Sequence, residues 1–219
     1  VSKSVYDFWV INGLKKSKSK IIYNGFKIKK SKSKILSNDK IVFTSISRII
    51  PYKGHPQLIK IFEMLCKKNR NIYLQIVGDT LPEYQKYLNE LKLDIKKREL
   101  SNKIKFLGFR NDVISILDKS NFFIHTPISP DPLPTVIFEA INCKTPVITN
   151  NLGGAFEILD QGNNGLIIKN DLVEESVEKI FSFLENKKQQ NKNVEKAFNY
   201  VCDNFSQEQF KRKILNSIG

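Results

Sequence analysis

The sequence predicts an α/β fold: a doubly wound parallel sheet of about six strands, with helices on both faces and further helices closing the chain. Two observations carry this. Short apolar segments recur at 41–46, 72–77, 104–107, 122–125, 146–149 and 165–168, and their near-continuous apolar character suits strands buried on both faces. Between them, apolar residues fall at helical spacing. Strands alternating with helices form βαβ units, and six such strands make a Rossmann-like sheet. In the usual 3-2-1-4-5-6 order the first and fourth strands are neighbours, and ligands bind beyond their carboxyl ends.

Residues 2–12 read as a short amphipathic helix with Val5, Phe8 and Trp9 on one face. A basic loop, a short strand at Ile21–Tyr23 and an Asn24-Gly25 turn follow. Residues 1–36 are expected to be the end of a preceding domain plus a linker, and residues 37–219 one nucleotide-binding domain. Leu58, Ile61, Phe62 and Leu65 follow the i, i+3, i+4, i+7 rule, as do Tyr84, Tyr87, Leu88 and Leu91. Asn111 or Asp112 is placed to cap a helix over Val113–Leu117. Three helices are expected near 172–185, 190–203 and 206–217.

With 219 residues and 41% apolar content, the chain can bury a core of its own. No apolar run approaches the roughly 18 residues of a membrane span. Val1 in place of an initiator Met reads as an excised piece. Cys66, Cys143 and Cys202 are too dispersed for a zinc site and suggest a reducing cytoplasm. Of the net charge of +14, residues 1–34 carry ten Lys against the single acid Asp7. Lys-Lys-Ser-Lys-Ser-Lys occurs there twice, at 15–20 and 29–34. These stretches read either as solvated loops or as a contact with anionic lipid head groups, worth about 1 kcal/mol per Lys. Nucleic acid ranks last, since no Arg-rich or recognisable binding fold accompanies them.

Two loops carry the chemistry, and both fall on the expected crevice. After the fourth strand, Ser129-Pro130-Asp131-Pro132-Leu133-Pro134-Thr135-Val136-Ile137-Phe138-Glu139 puts one acid in a stiffened loop and a second in the next helix. On one continuous helix, eight residues would leave these carboxylates about 80° apart, but Pro132 and Pro134 prevent that. Pro134 suits the first helical turn and Pro132 the approach to it. Free N–H groups at Thr135 and Val136 then lie between the acids, an arrangement suited to a phosphate whose attached hydroxyls the carboxylates grip. After the first strand, Arg48 and Lys53 are placed to bracket a diphosphate, and Gly54 to let a helix start close to it. Glu139 lies in an otherwise apolar run, so it is half-buried and needs partners.

The bland alternatives differ in strength. Isolated cations are ordinarily solvated, but Arg48 is one of only five arginines and sits at the mouth of the first strand. A glycosidase-like acid pair lacks any other feature of a glycan cleft. Gly153-Gly154 permits close backbone approach to a ligand or simply enters a helix. His125 reads as a packed strand-end residue and His55 as the start of the first helix, neither with a partner at metal spacing.

Arg48…Lys53-Gly54, Val77-Gly78-Asp79, Phe106-Leu107-Gly108, Asp131…Glu139-Ala140, Pro146-Val147-Ile148 and Gly153-Gly154…Glu157 occur in this order. Together the set resembles the C-terminal, donor-binding half of the retaining glycosyltransferases of family 4, which have the two-domain GT-B fold. The resemblance spans nearly the whole chain. It implies that Arg48 and Lys53 hold the diphosphate of a nucleotide sugar, assisted by backbone amides at Thr135 and Val136 beside Leu133 and Pro134. Glu139 would bind the ribose, the base would stack near Phe106 and Leu107, and Asp131 would face the sugar. Arg48, Lys53 and Asp131 are thus the implied catalytic residues, with retention at the anomeric carbon and no metal or other cofactor required. Asp131 replaces the family's Glu, Pro132 and Pro134 its common glycines, and Ser47 a frequent Gly.

The expected partners are an NDP-sugar and a glycan or lipid-linked acceptor bound through a missing N-terminal domain, with an anionic membrane surface possible and nucleic acid not expected. The expected location is the cytoplasm, peripheral at the inner membrane face. A sugar-nucleotide epimerase of similar architecture and a non-catalytic basic module remain alternatives.

Overall fold

The computed structural model describes residues 2–28, 40–69 and 71–218. Six parallel strands, β1 (Ile41–Ile46), β2 (Ile72–Val77), β3 (Ile104–Gly108), β4 (Phe122–His125), β5 (Val147–Asn150) and β6 (Leu166–Ile168), form one sheet in the order β3-β2-β1-β4-β5-β6. This is the expected fold class and strand order. β5 starts one residue later than the apolar run suggests: Pro146 has no N–H to donate, although its carbonyl accepts from Phe123 N at 3.0 Å.

The reversal at β1 and β4 sends the helices to opposite faces. Before the sheet comes α1 (Lys3–Ile11); the later helices are α2 (His55–Lys68), α3 (Gln85–Lys97), α4 (Val113–Asp118), α5 (Thr135–Asn142), α6 (Gly154–Ile158), α7 (Val173–Glu185), α8 (Lys187–Phe205) and α9 (Gln207–Ile218). On one face, Leu58, Phe62 and Leu65 of α2, Leu88 and Leu91 of α3 and Ile180 of α7 bury against Phe43, Ile76 and Phe122. On the other, Ile137 and Phe138 of α5, Ile158 of α6 and Val201 and Phe205 of α8 bury against Ile46, Phe123 and Val147. Adjacent residues of one strand therefore serve opposite cores, as Phe122 and Phe123 do. Fully burying a side chain of this size stabilises by about 2–3 kcal/mol.

Three local expectations change. Asp112 precedes α4 but makes no side-chain cap; its carboxylate takes both bonds from Arg110, at 2.8 Å each. Ile21–Tyr23 forms no strand, and Asn24-Gly25 no turn. This stretch lies on the closing helices instead. Phe26 donates its N–H to Phe205 O (2.7 Å), accepts from Gln207 N (3.2 Å) and stacks on Phe138 with ring centroids 4.0 Å apart. Within α1, Val5 is half-buried, whereas Phe8 and Trp9, edge to face at 5.5 Å, remain 59% and 55% exposed. Lys15, Lys16, Lys18 and Lys20 of the first basic hexapeptide are also exposed. The second hexapeptide and the expected junction at residues 36 and 37 lie outside the described residues.

What holds α1 to the sheet domain is Glu157 in α6. The first N–H groups of a helix lack intrahelical acceptors and favour an anion. Glu157 accepts from Lys3 N (2.7 Å) and Ser4 N (3.0 Å), and from the Tyr23 hydroxyl (2.8 Å). Burial, then the bond to Glu157, pushes the Tyr23 hydroxyl well above its usual range, so it stays a donor. Replacing Glu157 with Ala removes all three bonds. Backbone amides of α1 are expected to exchange with solvent about tenfold faster or more, for a loss of about 1.5–3 kcal/mol. Amides of β1 should be unaffected. Hydrogen exchange read by mass spectrometry checks this, and unchanged exchange in α1 would refute the anchoring role.

Candidate functional site

Residues 47–54, after β1, continue its pairing past the strand end. Ser47 N donates to Val77 O (3.0 Å), Ile49 N to Asp79 O (2.9 Å), and the Thr80 hydroxyl to Ile49 O (2.6 Å). Arg48 is held between these anchors with its side chain exposed. A short 3-10 turn, Pro51–Lys53, leads to Gly54 in the left-handed region (φ 71°). A Cβ at Gly54 would lie 1.9 Å from the Thr126 carbonyl oxygen. Only glycine lets the two loops approach so closely, and the approach turns Lys53 toward the loop after β4. The close neighbour of Gly54 is thus backbone rather than ligand.

Residues 126–134 are pinned from several directions. Asn150 Nδ2 donates to Pro127 O (2.5 Å), Asn170 Nδ2 to Thr126 O (3.0 Å) and Pro127 O (2.9 Å), and Ile128 N to Tyr52 O (2.9 Å). Gly154 N donates to Asp131 O at 2.8 Å, and a Cβ at Gly153, whose φ is 62°, would meet that oxygen at 2.3 Å. Of the two readings of Gly153-Gly154, helix entry and close backbone approach are both realised, the approach being to the Asp131 loop. Pro134 is the N-cap of α5 rather than a residue of its first turn. The N–H groups of Thr135 and Val136 are left without intrahelical acceptors.

Two adjoining cavities occupy the crevice and share Ile46, Ser47, Arg48 and Val136. The smaller, about 340 Å³, adds Lys53, His125, Asp131, Leu133, Pro134 and Thr135. The larger, about 500 Å³, adds Glu139, the 77–81 loop, Phe109, Arg110 and Val113. Arg48, Lys53, Asp131, Leu133, Pro134, Thr135, Val136 and Glu139 are therefore brought together. Phe106 and Leu107 are not. On the edge strand β3 these neighbours point to opposite faces, Phe106 packing on the α2 and α3 side and Leu107 on the α5 side. Phe109, 71% exposed just past Gly108, lines the cavity instead, with Leu81 from the loop after β2. The signal for Phe109 was available in the first aromatic residue beyond the strand end.

Charge is unevenly shared. Lys53 Nζ and Asp131 Oδ2 are 2.5 Å apart, with side chains 18% and 19% exposed. Burial lifts the Glu139 carboxyl above its ordinary range, and no side-chain partner offsets this among the described residues. Burial, then the Lys53 charge, pushes His125 down to about 4; burial likewise pushes His55 to about 4. Both imidazoles are neutral at pH 7, which leaves the positive field to Arg48, Lys53, the start of α5 and Arg110, the last offset by Asp112. His125 is packed as expected, only 2% exposed, yet it also lines the smaller cavity, and its Nε2 has no hydrogen-bond partner among the described residues. A third cavity, about 650 Å³ and rich in amides from Gln57, Asn150, Asn151 and Asn170, opens beyond β5 and β6. Nothing in the sequence pattern pointed to it.

Cations on one wall, facing helix N–H groups and a carboxylate that has no partner among the described residues on the other, suit a ligand that joins phosphate to hydroxyls. Residues 26–215 match the family model described as glycosyl transferases group 1. An uncharacterized glycosyltransferase of Methanocaldococcus jannaschii is 28% identical over 94% of this chain and 54% of its own length. The capsular polysaccharide biosynthesis glycosyltransferase CapM of Staphylococcus aureus is 28% identical over 66% of this chain and 37% of its own. Among solved structures, Anabaena HepE in complex with UDP superposes with a TM-score of 0.89 at 26% identity, over 99% of this chain and 62% of that one. HepE has also been solved with UDP-glucose. The matches thus cover 54%, 37% and 62% of these proteins' own lengths.

The Glu139 environment has a consequence for stability. Between the ordinary carboxyl value of 4.5 and the raised one, the folded chain holds more protons than the unfolded chain. Stability therefore falls as pH rises through that window. Glu139→Gln is expected to melt at a higher temperature than the parent chain at pH 7, with the gap closing below 4.5. Calorimetric melts across that range test this; a lower melting point for the variant at pH 7 would contradict it.

Proposed function

The chain belongs to the glycosyl transferases group 1 family, and from that premise we propose that it is the donor-binding half of a retaining glycosyltransferase. In this reading the enzyme moves a sugar from a nucleoside diphosphate to a glycan or lipid-linked acceptor. The observation that carries it is that Arg48 and Glu139 line one cavity with the start of α5 between them. Arg48, through its planar fork, and Lys53, as a point charge, hold the diphosphate, with the N–H groups of Thr135 and Val136. Glu139 accepts from the ribose hydroxyls. The base lies against Phe109 and Leu81 rather than Phe106 and Leu107. Asp131, with Leu133 and Pro134, faces the sugar.

Catalysis here rests on placing the sugar and stabilising the charge that develops on the departing diphosphate. Arg48, Lys53 and the helix start supply that stabilisation with dipoles fixed in advance. UDP-sugars are the first candidates, in view of the ligands bound to the Anabaena relative. Residues 1–36 serve as the end of a preceding domain and a linker, and residues 37–219 as the donor domain. The acceptor then binds mainly outside this chain. Exposed Phe8 and Trp9 close in sequence to exposed lysines support a peripheral contact with an anionic membrane at the cytoplasmic face.

Titration calorimetry with UDP-, GDP- and ADP-sugars tests the site. One nucleotide class is expected to bind. Losing the charged hydrogen bonds in Arg48→Ala or Glu139→Ala should weaken it by about ten- to a hundredfold. Equal affinity in the parent chain and both variants would remove the assignment.

A further inference from the structure

Resting on the donor-site reading above, we propose that Asp131 acts as an internal competitor for the diphosphate at Lys53, released toward the sugar only when phosphate takes its place. The Asp131 carboxylate already fills the position on Lys53 that an incoming phosphate oxygen needs, at 2.5 Å and largely out of solvent. Two anions held by one partly desolvated ammonium repel each other, so diphosphate and carboxylate compete there. The backbone cannot relieve the conflict. Asp131 sits between Pro130 and Pro132, its carbonyl holds Gly154 N at 2.8 Å, and Gly153 packs directly on that carbonyl. Only side-chain rotation remains. When the phosphate binds Lys53, the carboxylate turns away within the cavity it shares with Leu133 and Pro134, where the sugar is expected. The same residue thus weakens binding of the bare diphosphate and becomes free to orient the sugar once the diphosphate is seated.

The test is a double-mutant cycle by titration calorimetry on the whole chain, with Asp131→Asn, Lys53→Met and the double variant. The probes are UDP, GDP, ADP and inorganic pyrophosphate, and thermal melts confirm that all four proteins are folded. Asp131→Asn is expected to bind the preferred diphosphate about tenfold more tightly than the parent chain. In the Lys53→Met background the gain should shrink to about twofold or less, the remainder being long-range charge. Unchanged or weaker binding by Asp131→Asn, or an undiminished gain without Lys53, overturns the proposal while the donor site stands. If no probe binds any of the four proteins, the donor-site reading fails and the competition fails with it.

Discussion

The adjacency of β1 and β4 is the constraint from which the site follows. Because the chain reverses its winding there, the helix after β1 packs on one face and the helix after β4 on the other. The loops leading into those helices must therefore diverge, and a crevice opens between them at the carboxyl edge of the sheet. Arg48 and Lys53 come from one bank; Asp131, the start of α5 and Glu139 come from the other. Neither bank could hold a charged ligand alone. Packing against two hydrophobic cores, rather than any polar contact, brings them to a working distance.

Polar groups in the crevice are arranged against the stability of the free chain. Glu139 is held partly out of water with no ion-pair partner among the described residues, and burial keeps His55 and His125 uncharged. Among the described residues Arg48 makes no ion pair, while Lys53 is paired with Asp131 and Arg110 with Asp112. A domain built only to be stable would pair Glu139 as well. Such local conflict concentrates where a ligand is to complete the network.

Much of this was legible in the sequence because two periodicities carry fold information. Continuous apolar runs located the six strands within a residue or so, helical spacing located α2 and α3, and the closing helices α7 to α9 fell near their expected ranges. The two loops were found because prolines and isolated charges stand out against apolar surroundings. Legibility failed where a residue's role depends on which surface lies opposite. Ile21–Tyr23 has the composition of a strand, but a strand exists only with a partner edge, and Phe26 found the closing helices instead. Phe106 and Leu107 look available beside a crevice, yet the alternation of β3 turns both into the cores. Asp112 has the chemistry of a cap, but Arg110 two residues away offers it more. The amide-rich cavity beyond β5 and β6 draws on residues from α2 to α7, a grouping that no local pattern announces.

The stretch from Thr126 to Pro134 behaves like a casting mould. Its prolines limit torsion, its carbonyls are tethered by Asn150 and Asn170, and glycines at 54 and 153 let neighbouring backbone press against it. A wall so braced cannot give way to an ill-shaped guest. Accommodation is left to rotatable bonds in the visitor and to the tips of a few side chains, so discrimination is by contour, set before any encounter takes place.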